Sequence, residues 1–192
     1  MSKLLISLFA GAGIALASAA YAAPISKDAY NAEKARIAAT YKADKAACSK
    51  LSRNTKDVCV EEAKAKEKVA KADNEAALKN TEAARYDARI ARAEANYAVA
   101  KEKCDDLAGN AKDVCAKEAK AAEVKAKADA KVAHVSSDAN QMAAVKKQDV
   151  RKDAMEDKRD AEYKVAVEKC DALAGAAKNS CMQDAKGRFG KS

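Results

Sequence analysis

A frame containing two cysteines occurs three times in this chain of 192 residues and constrains the fold more than any other feature. It reads Y-x6-C-x2-L-x4-K-x2-C-x3-A-K, and its copies span residues 41–64, 97–120 and 163–186. Chance does not produce such a frame three times, so the copies are internal repeats. They start 56 and then 66 residues apart, a spacing too uneven for a regular solenoid.

Each pair of cysteines is centred on a predicted turn. In the second copy the helical pattern runs to Leu107 and meets Gly109, a residue suited to a left-handed helix end. It restarts at Asn110, with Asp113 three residues on as its capping partner. Helices joined by so short a turn lie antiparallel, so residues equidistant from the turn face each other. The predicted disulfides are Cys48–Cys59, Cys104–Cys115 and Cys170–Cys181.

Each of these disulfides closes a loop of about a dozen residues, which is worth roughly 3 kcal/mol in the chain-entropy model. Arg53 stands in the first turn where the other two have glycine, which predicts a looser first turn. In the third copy Ala176 and Asn179 replace the capping pair, which predicts a weaker helix start. Metal or redox chemistry at free thiols and bridging between chains are the alternatives. The sequence contains no C-x-x-C motif, and His134 is its only histidine, so it gives no support for a metal site.

The first 22 residues have the features of a signal peptide. Lys3 precedes an uncharged stretch, and Ala20-Tyr21-Ala22 fits the pattern that signal peptidase reads. We expect cleavage after Ala22; an uncleaved membrane anchor is the alternative. Export to an oxidising compartment agrees with an even number of cysteines. The expected location is the periplasm of a Gram-negative bacterium, with no transmembrane helix after cleavage.

Composition predicts an all-α protein. Hydrophobic residues make up 49% of the chain and are mostly alanine, aromatic residues make up 4% and charged residues 34%. Such a mixture favours long helices that pack through a narrow seam. Residues 23–192 are therefore predicted to form one elongated domain of antiparallel helical hairpins or coiled coil, with a three-helix bundle at one end. The predicted helices are 26–51, 54–107, 110–173 and a short one after Gly175.

The two central helices would be on the order of 80 to 95 Å long at 1.5 Å per residue. A heptad seam runs from Ala65 to Leu107, with one polar interruption at Lys79. Reflected through the Gly109-Asn110 turn, facing residues have numbers that sum to 219. The reflection pairs Tyr86 with Ala133, Val69 with Val150, and Ala65 with Ala154. It fits poorly near the stretch HVSSDANQ, residues 134–141, where we expect a break, a shift of register or a hydrated patch.

The stretches EEAKAKEKVAKADNEAALK and AKEAKAAEVKAKADAKVA are rich in alanine, lysine and glutamate. In this respect the chain resembles the long middle domain of the TolA envelope proteins. The resemblance covers about a fifth of the chain, and it implies a helical periplasmic protein. It carries over no binding residues.

No group of residues brings a nucleophile, a base and an orienting group together, so an enzyme is not expected and no cofactor or metal is predicted. The formal net charge is +8, but lysines alternate with acidic residues, which indicates a solvated helix surface rather than a footprint for a specific nucleic acid. We predict a non-enzymatic periplasmic spacer, interaction or envelope-stress protein that contacts an unknown envelope protein or cell-surface component. Self-association stays open, because the seams can close within one chain or between chains.

Two other functions remain alternatives: a lysine-rich binder of polyanions such as nucleic acid or the anionic cell surface, and thiol-based metal handling. The most exposed feature of the predicted rod is the tip of the second hairpin. The predicted interaction residues there are Asp106, Asn110, Lys112 and Asp113.

Overall fold

A computed structural model describes residues 23–137 and 144–191, and within these ranges the chain is helical with no strand. The all-α prediction is confirmed. These ranges contain six α-helices: α1 Lys27–Cys48, α2 Arg53–Lys79, α3 Glu82–Lys103, α4 Gly109–Ser137, α5 Ala144–Cys170 and α6 Gly175–Phe189. A single 3-10 turn, Cys104–Asp106, follows α3. The expected signal peptide lies outside the described residues.

Each helix packs mainly against the helices that precede and follow it in the chain. Extensive packing between non-neighbouring helices is absent from the described ranges, so α5 does not join α1 and α2 in the predicted three-helix bundle. Instead the six helices form a single layer in chain order. Within residues 23–137 and 144–191, no helix combines the length and the apolar character needed to cross a membrane.

The predicted long helix over residues 54–107 is two helices, α2 and α3. Asn80 adopts a left-handed conformation, with φ 49°, and its N–H bonds to the carbonyl of Ala76 at 2.8 Å. Thr81 then caps α3, since its hydroxyl accepts a hydrogen bond from the N–H of Ala84 at 3.2 Å. Asparagine tolerates the left-handed region and threonine is a favoured N-cap, so this dipeptide reverses the chain.

Because of this break, α3 runs back along α2. Arg92 of α3 pairs with Asp73 of α2 at 2.7 Å, and Glu94 accepts a hydrogen bond from Lys68 at 2.7 Å. The longest described helix is α4, with 29 residues. Its length is about 45 Å at 1.5 Å per residue, half that of the predicted rod.

The predicted reflection through the second turn is correct to within about one residue for α3 and α4. Tyr86 stacks on His134, next to the predicted Ala133, with ring centroids 4.9 Å apart. The predicted pairing of Val69 with Val150 is wrong, because α2 packs against α1 and α3 and not against α5. For the same reason Ala65 does not face Ala154.

His134 lies in α4, whereas residues 138–141 of the expected break lie outside the described residues.

Small side chains form most of the core. Alanine supplies most of the buried apolar positions, and Ala76, Ala84 and Ala88 form a cluster at the α2–α3 turn with Ala72 packed against it. The first cysteine of each copy is only 1% exposed. Helix axes can therefore approach closely, which suits a layer one helix thick.

Candidate functional site

All three predicted disulfides are present. Their Cα–Cα distances are 5.6 Å for Cys48–Cys59, 5.7 Å for Cys104–Cys115 and 5.7 Å for Cys170–Cys181. Each bond joins the end of one helix to the first turns of the next. The six cysteines include no free thiol, so thiol-based metal handling would first require reduction.

The three stapled turns have the same backbone conformation. In each, the leucine N–H bonds to the carbonyl of the first cysteine at 3.0 Å. The residue that opens the second helix has φ 54° at Arg53, 56° at Gly109 and 58° at Gly175. The looser first turn that Arg53 predicted is therefore not found. Gly109 begins α4 instead of ending the preceding helix, because the chain has already left the helix after Asp106.

Asn54 and Asn110, six residues after the first cysteine of their copies, connect neighbouring turns. The Asn54 amide donates to the carbonyl oxygen of Glu102 at 3.3 Å, and the Asn110 amide donates to that of Glu168 at 3.1 Å. Asn110 is thus not the predicted helix cap, since it lies inside α4 and reaches the C-terminal end of α5. These bonds place the three turns side by side at one end of the layer.

We name this end the stapled edge, and it comprises residues 49–57, 105–113 and 171–179. The α2–α3 contact is the first junction and the α4–α5 contact is the second junction. Two ion pairs recur at equivalent positions of both junctions. They are Lys103–Glu62 at 2.8 Å and Arg92–Asp73 at 2.7 Å in the first junction, and Lys169–Glu118 at 2.6 Å and Lys158–Asp129 in the second.

The outer helices lack key groups of these junctions. Ala47 in α1 occupies the position of Lys103 and Lys169, and Ala176 in α6 occupies the position of Asn54 and Asn110. A further helix pair packed against α1 would therefore lack the Lys–Glu ion pair. A further helix pair packed against α6 would lack the asparagine hydrogen bond. The third helix start, predicted to be weak, has Ala174 as its N-cap, and this residue offers no side-chain acceptor for a cap hydrogen bond.

The four residues of the predicted interaction tip lie in the middle turn of the stapled edge. Lys112 pairs with Asp105 at 2.9 Å, and Asn110 is held by the bond to α5. Asp106 and Asp113 are exposed and form no ion pair with other described residues. Two of the four residues are thus available to a partner, and the tip has a neighbouring turn on each side.

A leucine is exposed in each turn of the stapled edge. Leu51 is 40% exposed, Leu107 44% and Leu173 43%. From the sequence these leucines were predicted to end helices, and Leu107 was also predicted to end the heptad seam. Their exposure follows from their place three residues after the first cysteine, where the helix has ended and the side chain no longer faces a packed helix.

An open groove of about 850 Å³ lies along the first junction. Its floor includes Ala65, Val69 and Val99, and the two junction ion pairs flank it. At the second junction the position of Val69 is occupied by Lys125 and that of Asn96 by Glu162. The apolar groove is therefore specific to the first junction.

A carboxylate network crosses three helices at the first junction. Glu94 of α3 accepts hydrogen bonds from Lys127 of α4 at 2.8 Å and from Lys68 of α2 at 2.7 Å. These bonds lower the pKa of Glu94 to about 2. Glu123 is 5% exposed, and burial raises its pKa, but hydrogen bonds from Lys120 and Lys127 outweigh burial, so the pKa is lowered. Both carboxylates are ionised at neutral pH. Glu94 connects α3 to α2 and α4, whereas the partners of Glu123 among the described residues lie within α4.

Comparison of the chain with family models, curated proteins and solved structures found no match.

Proposed function

We propose that this chain is an exported, non-enzymatic protein of the Gram-negative periplasm that acts by contact with another envelope component. It would serve as a spacer or interaction protein, or in the response to envelope stress. The observation that carries this proposal is the single stapled layer. Because helices pack mainly on their chain neighbours, both faces and the stapled edge are accessible to a partner. Three local disulfides suit an oxidising compartment and support export.

Ion pairs across the first junction favour protein contact over polyanion binding at that surface. Lys68, Arg92 and Lys103 each pair with a carboxylate on a neighbouring helix. A polyanion would have to compete with these carboxylates for the same side chains. A logarithm of the binding constant that falls steeply and linearly with the logarithm of the salt concentration would nevertheless identify a polyanion ligand.

The test uses photo-crosslinking in cells, with the reactive residue placed at three sites. One replaces Leu107 on the stapled edge, one replaces Asn96 beside the groove, and one replaces Met155, which is 72% exposed on α5. We expect the chain in the periplasmic fraction and a discrete adduct with a second protein from Leu107 or Asn96. Met155 controls for random collision.

A chain retained in the cytoplasm with reactive thiols would overturn the proposal. An identical adduct pattern from all three sites would also overturn the proposal, because it would show that the adducts come from random collisions and not from a specific surface. An adduct with the mass of two copies of this chain reports self-contact, and it is scored separately from adducts with other proteins.

A further inference from the structure

We propose that two copies of this chain associate through their stapled edges, with the first turn of each copy against the second turn of the other. This inference goes beyond the proposed contact with an envelope component and does not depend on it. It follows from the charges, the order and the exposed leucines of the three turns.

The turns differ in charge although their backbones are alike. The first turn, residues 49–57, carries Lys50, Arg53 and Lys56 against Asp57, a net charge of +2. The second turn, residues 105–113, carries three aspartates against one lysine, a net charge of −2. The third turn, residues 171–179, has one aspartate and one lysine and is neutral.

These charges are available for contact. Within the described ranges, Lys50, Arg53 and Lys56 are exposed and form no ion pair. Asp106 and Asp113 in the second turn are likewise exposed and form no ion pair with other described residues. By contrast, the charged groups of the third turn, Asp171 and Lys178, pair with each other at 3.0 Å. Among the three turns, the net unpaired charge is therefore positive in the first turn and negative in the second.

A twofold axis normal to the layer, passing between the first and second turns, matches these charges. It reverses the order of the turns in the second copy, so each +2 turn meets a −2 turn, and both contacts form at once. Such an isologous interface is self-complementary. An axis through the second turn would instead place two −2 turns together. An axis parallel to the row of turns would pair each turn with the same turn of the other chain, so that like charges would face each other.

The same arrangement brings Leu51 of one copy to Leu107 of the other. Both side chains are more than a third exposed in the single chain, and their contact would remove apolar surface from water at the centre of each charge pairing. Neighbouring turns are roughly 16 to 20 Å apart, since two interhelical spacings of 8–10 Å separate them. The contacts are therefore small and partly electrostatic, and the dimer should weaken with added salt.

Two variants with reversed charge test the pairing. Lys50→Glu with Lys56→Glu changes the first turn from +2 to −2, and Asp106→Lys with Asp113→Lys changes the second turn from −2 to +2. Each variant alone would place like charges together in both contacts. We expect each to raise the dimer dissociation constant by about tenfold or more, because like-charge contacts are strongly unfavourable.

An equimolar mixture of the two variants restores opposite charges in both contacts. Sedimentation velocity of the oxidised protein at low ionic strength should therefore show dimer for the wild type, monomer for each variant and heterodimer for the mixture. Lys178→Glu, in the third turn, is the control and should dimerise like the wild type. Circular dichroism and intact mass confirm that every variant is folded and oxidised.

A wild-type protein that is monomeric at low ionic strength would overturn the inference. A dimer that persists in both variants would also overturn it, because the interface would then lie elsewhere. As a second readout, a photo-crosslinker at Leu51 should attach to the peptide that contains residues 105–113 of the other copy. A wild-type adduct that maps only to other segments contradicts the proposed register.

Discussion

The first and second junctions are built on the same polar contacts but present different surfaces. In each, an asparagine bonds to a carbonyl near the end of the neighbouring helix, and two ion pairs recur at equivalent positions. Between these contacts the first junction has an apolar groove, whereas the second has Lys125 and Glu162. A few polar contacts fix how neighbouring helices align, and the positions between them are left to vary.

The disulfide Cys104–Cys115 lies between the two junctions and is the most direct way to break both. Replacement of both cysteines by serine should lower the free energy of unfolding by about 3 kcal/mol, because the unfolded chain loses a closed loop. Urea denaturation followed by circular dichroism measures the change.

Replacement of Cys170 and Cys181 is the matched control, since that staple borders only the second junction. We expect hydrogen exchange in α2 and α3 to accelerate after loss of the middle staple and to change little after loss of the third. Equal acceleration in both variants would show that the junctions do not unfold separately.

Asn54 and Asn110 test whether the two junctions are equivalent. Asn54→Ala removes the bond to Glu102, and Asn110→Ala removes the bond to Glu168. Each substitution should cost about 1 kcal/mol, the usual net value of one intramolecular hydrogen bond. Thermal denaturation of the two variants gives the comparison. A cost confined to one of them would mean that only that junction depends on its asparagine.

Local identity between copies made the disulfides predictable from sequence. The break between α2 and α3 was missed because Lys79 was interpreted as a polar interruption of a continuous heptad seam. The signal was present in Asn80 and Thr81, a residue that tolerates φ above zero followed by a good helix cap. With the break missed, Val69 was assigned to the wrong partner helix.

The role of Asn110 was not predictable from local sequence. Asparagine near a helix start usually caps it, and only the backbone of the turn shows that Gly109 already begins the helix. The carbonyl of Glu168, which accepts the bond, is 58 residues away in the chain. Long-range contacts of this kind depend on which helices become neighbours, and this one requires α4 and α5, which were predicted as one helix over residues 110–173, to pack against each other.

Arg53 distinguishes the first stapled turn from the other two. A non-glycine residue at φ 54° is strained by its Cβ, whereas Gly109 and Gly175 adopt the same conformation without that cost. Arg53→Gly should therefore stabilise the protein by about 1 kcal/mol. Gly109→Ala should destabilise it by a similar amount, and the reason is conformational because no atom lies within 4 Å of the added Cβ. Denaturant titration of both variants tests the pair.

Glu94 adds a contact to the first junction that the second lacks. It bonds to Lys68 across the junction, whereas Asp160 at the equivalent position pairs with Lys191, and Val124 replaces the lysine. Hydrogen bonds from Lys127 and Lys68 lower the pKa of Glu94 from 4.5 to about 2. A carboxylate with a lowered pKa stabilises the fold above its unfolded pKa, and this contribution disappears as the pH falls from about 4.5 to about 2.

Glu94→Gln should remove that contribution at neutral pH, at a cost below about 1 kcal/mol because the side chain is partly exposed. The stability difference between wild type and variant should shrink as the pH falls through that window. Denaturation at a series of pH values measures this difference. Asp160→Asn is the control, because that substitution leaves the first junction intact. A difference that is constant down to pH about 2 would mean that Glu94 contributes through packing, and the extra electrostatic contact would no longer distinguish the two junctions.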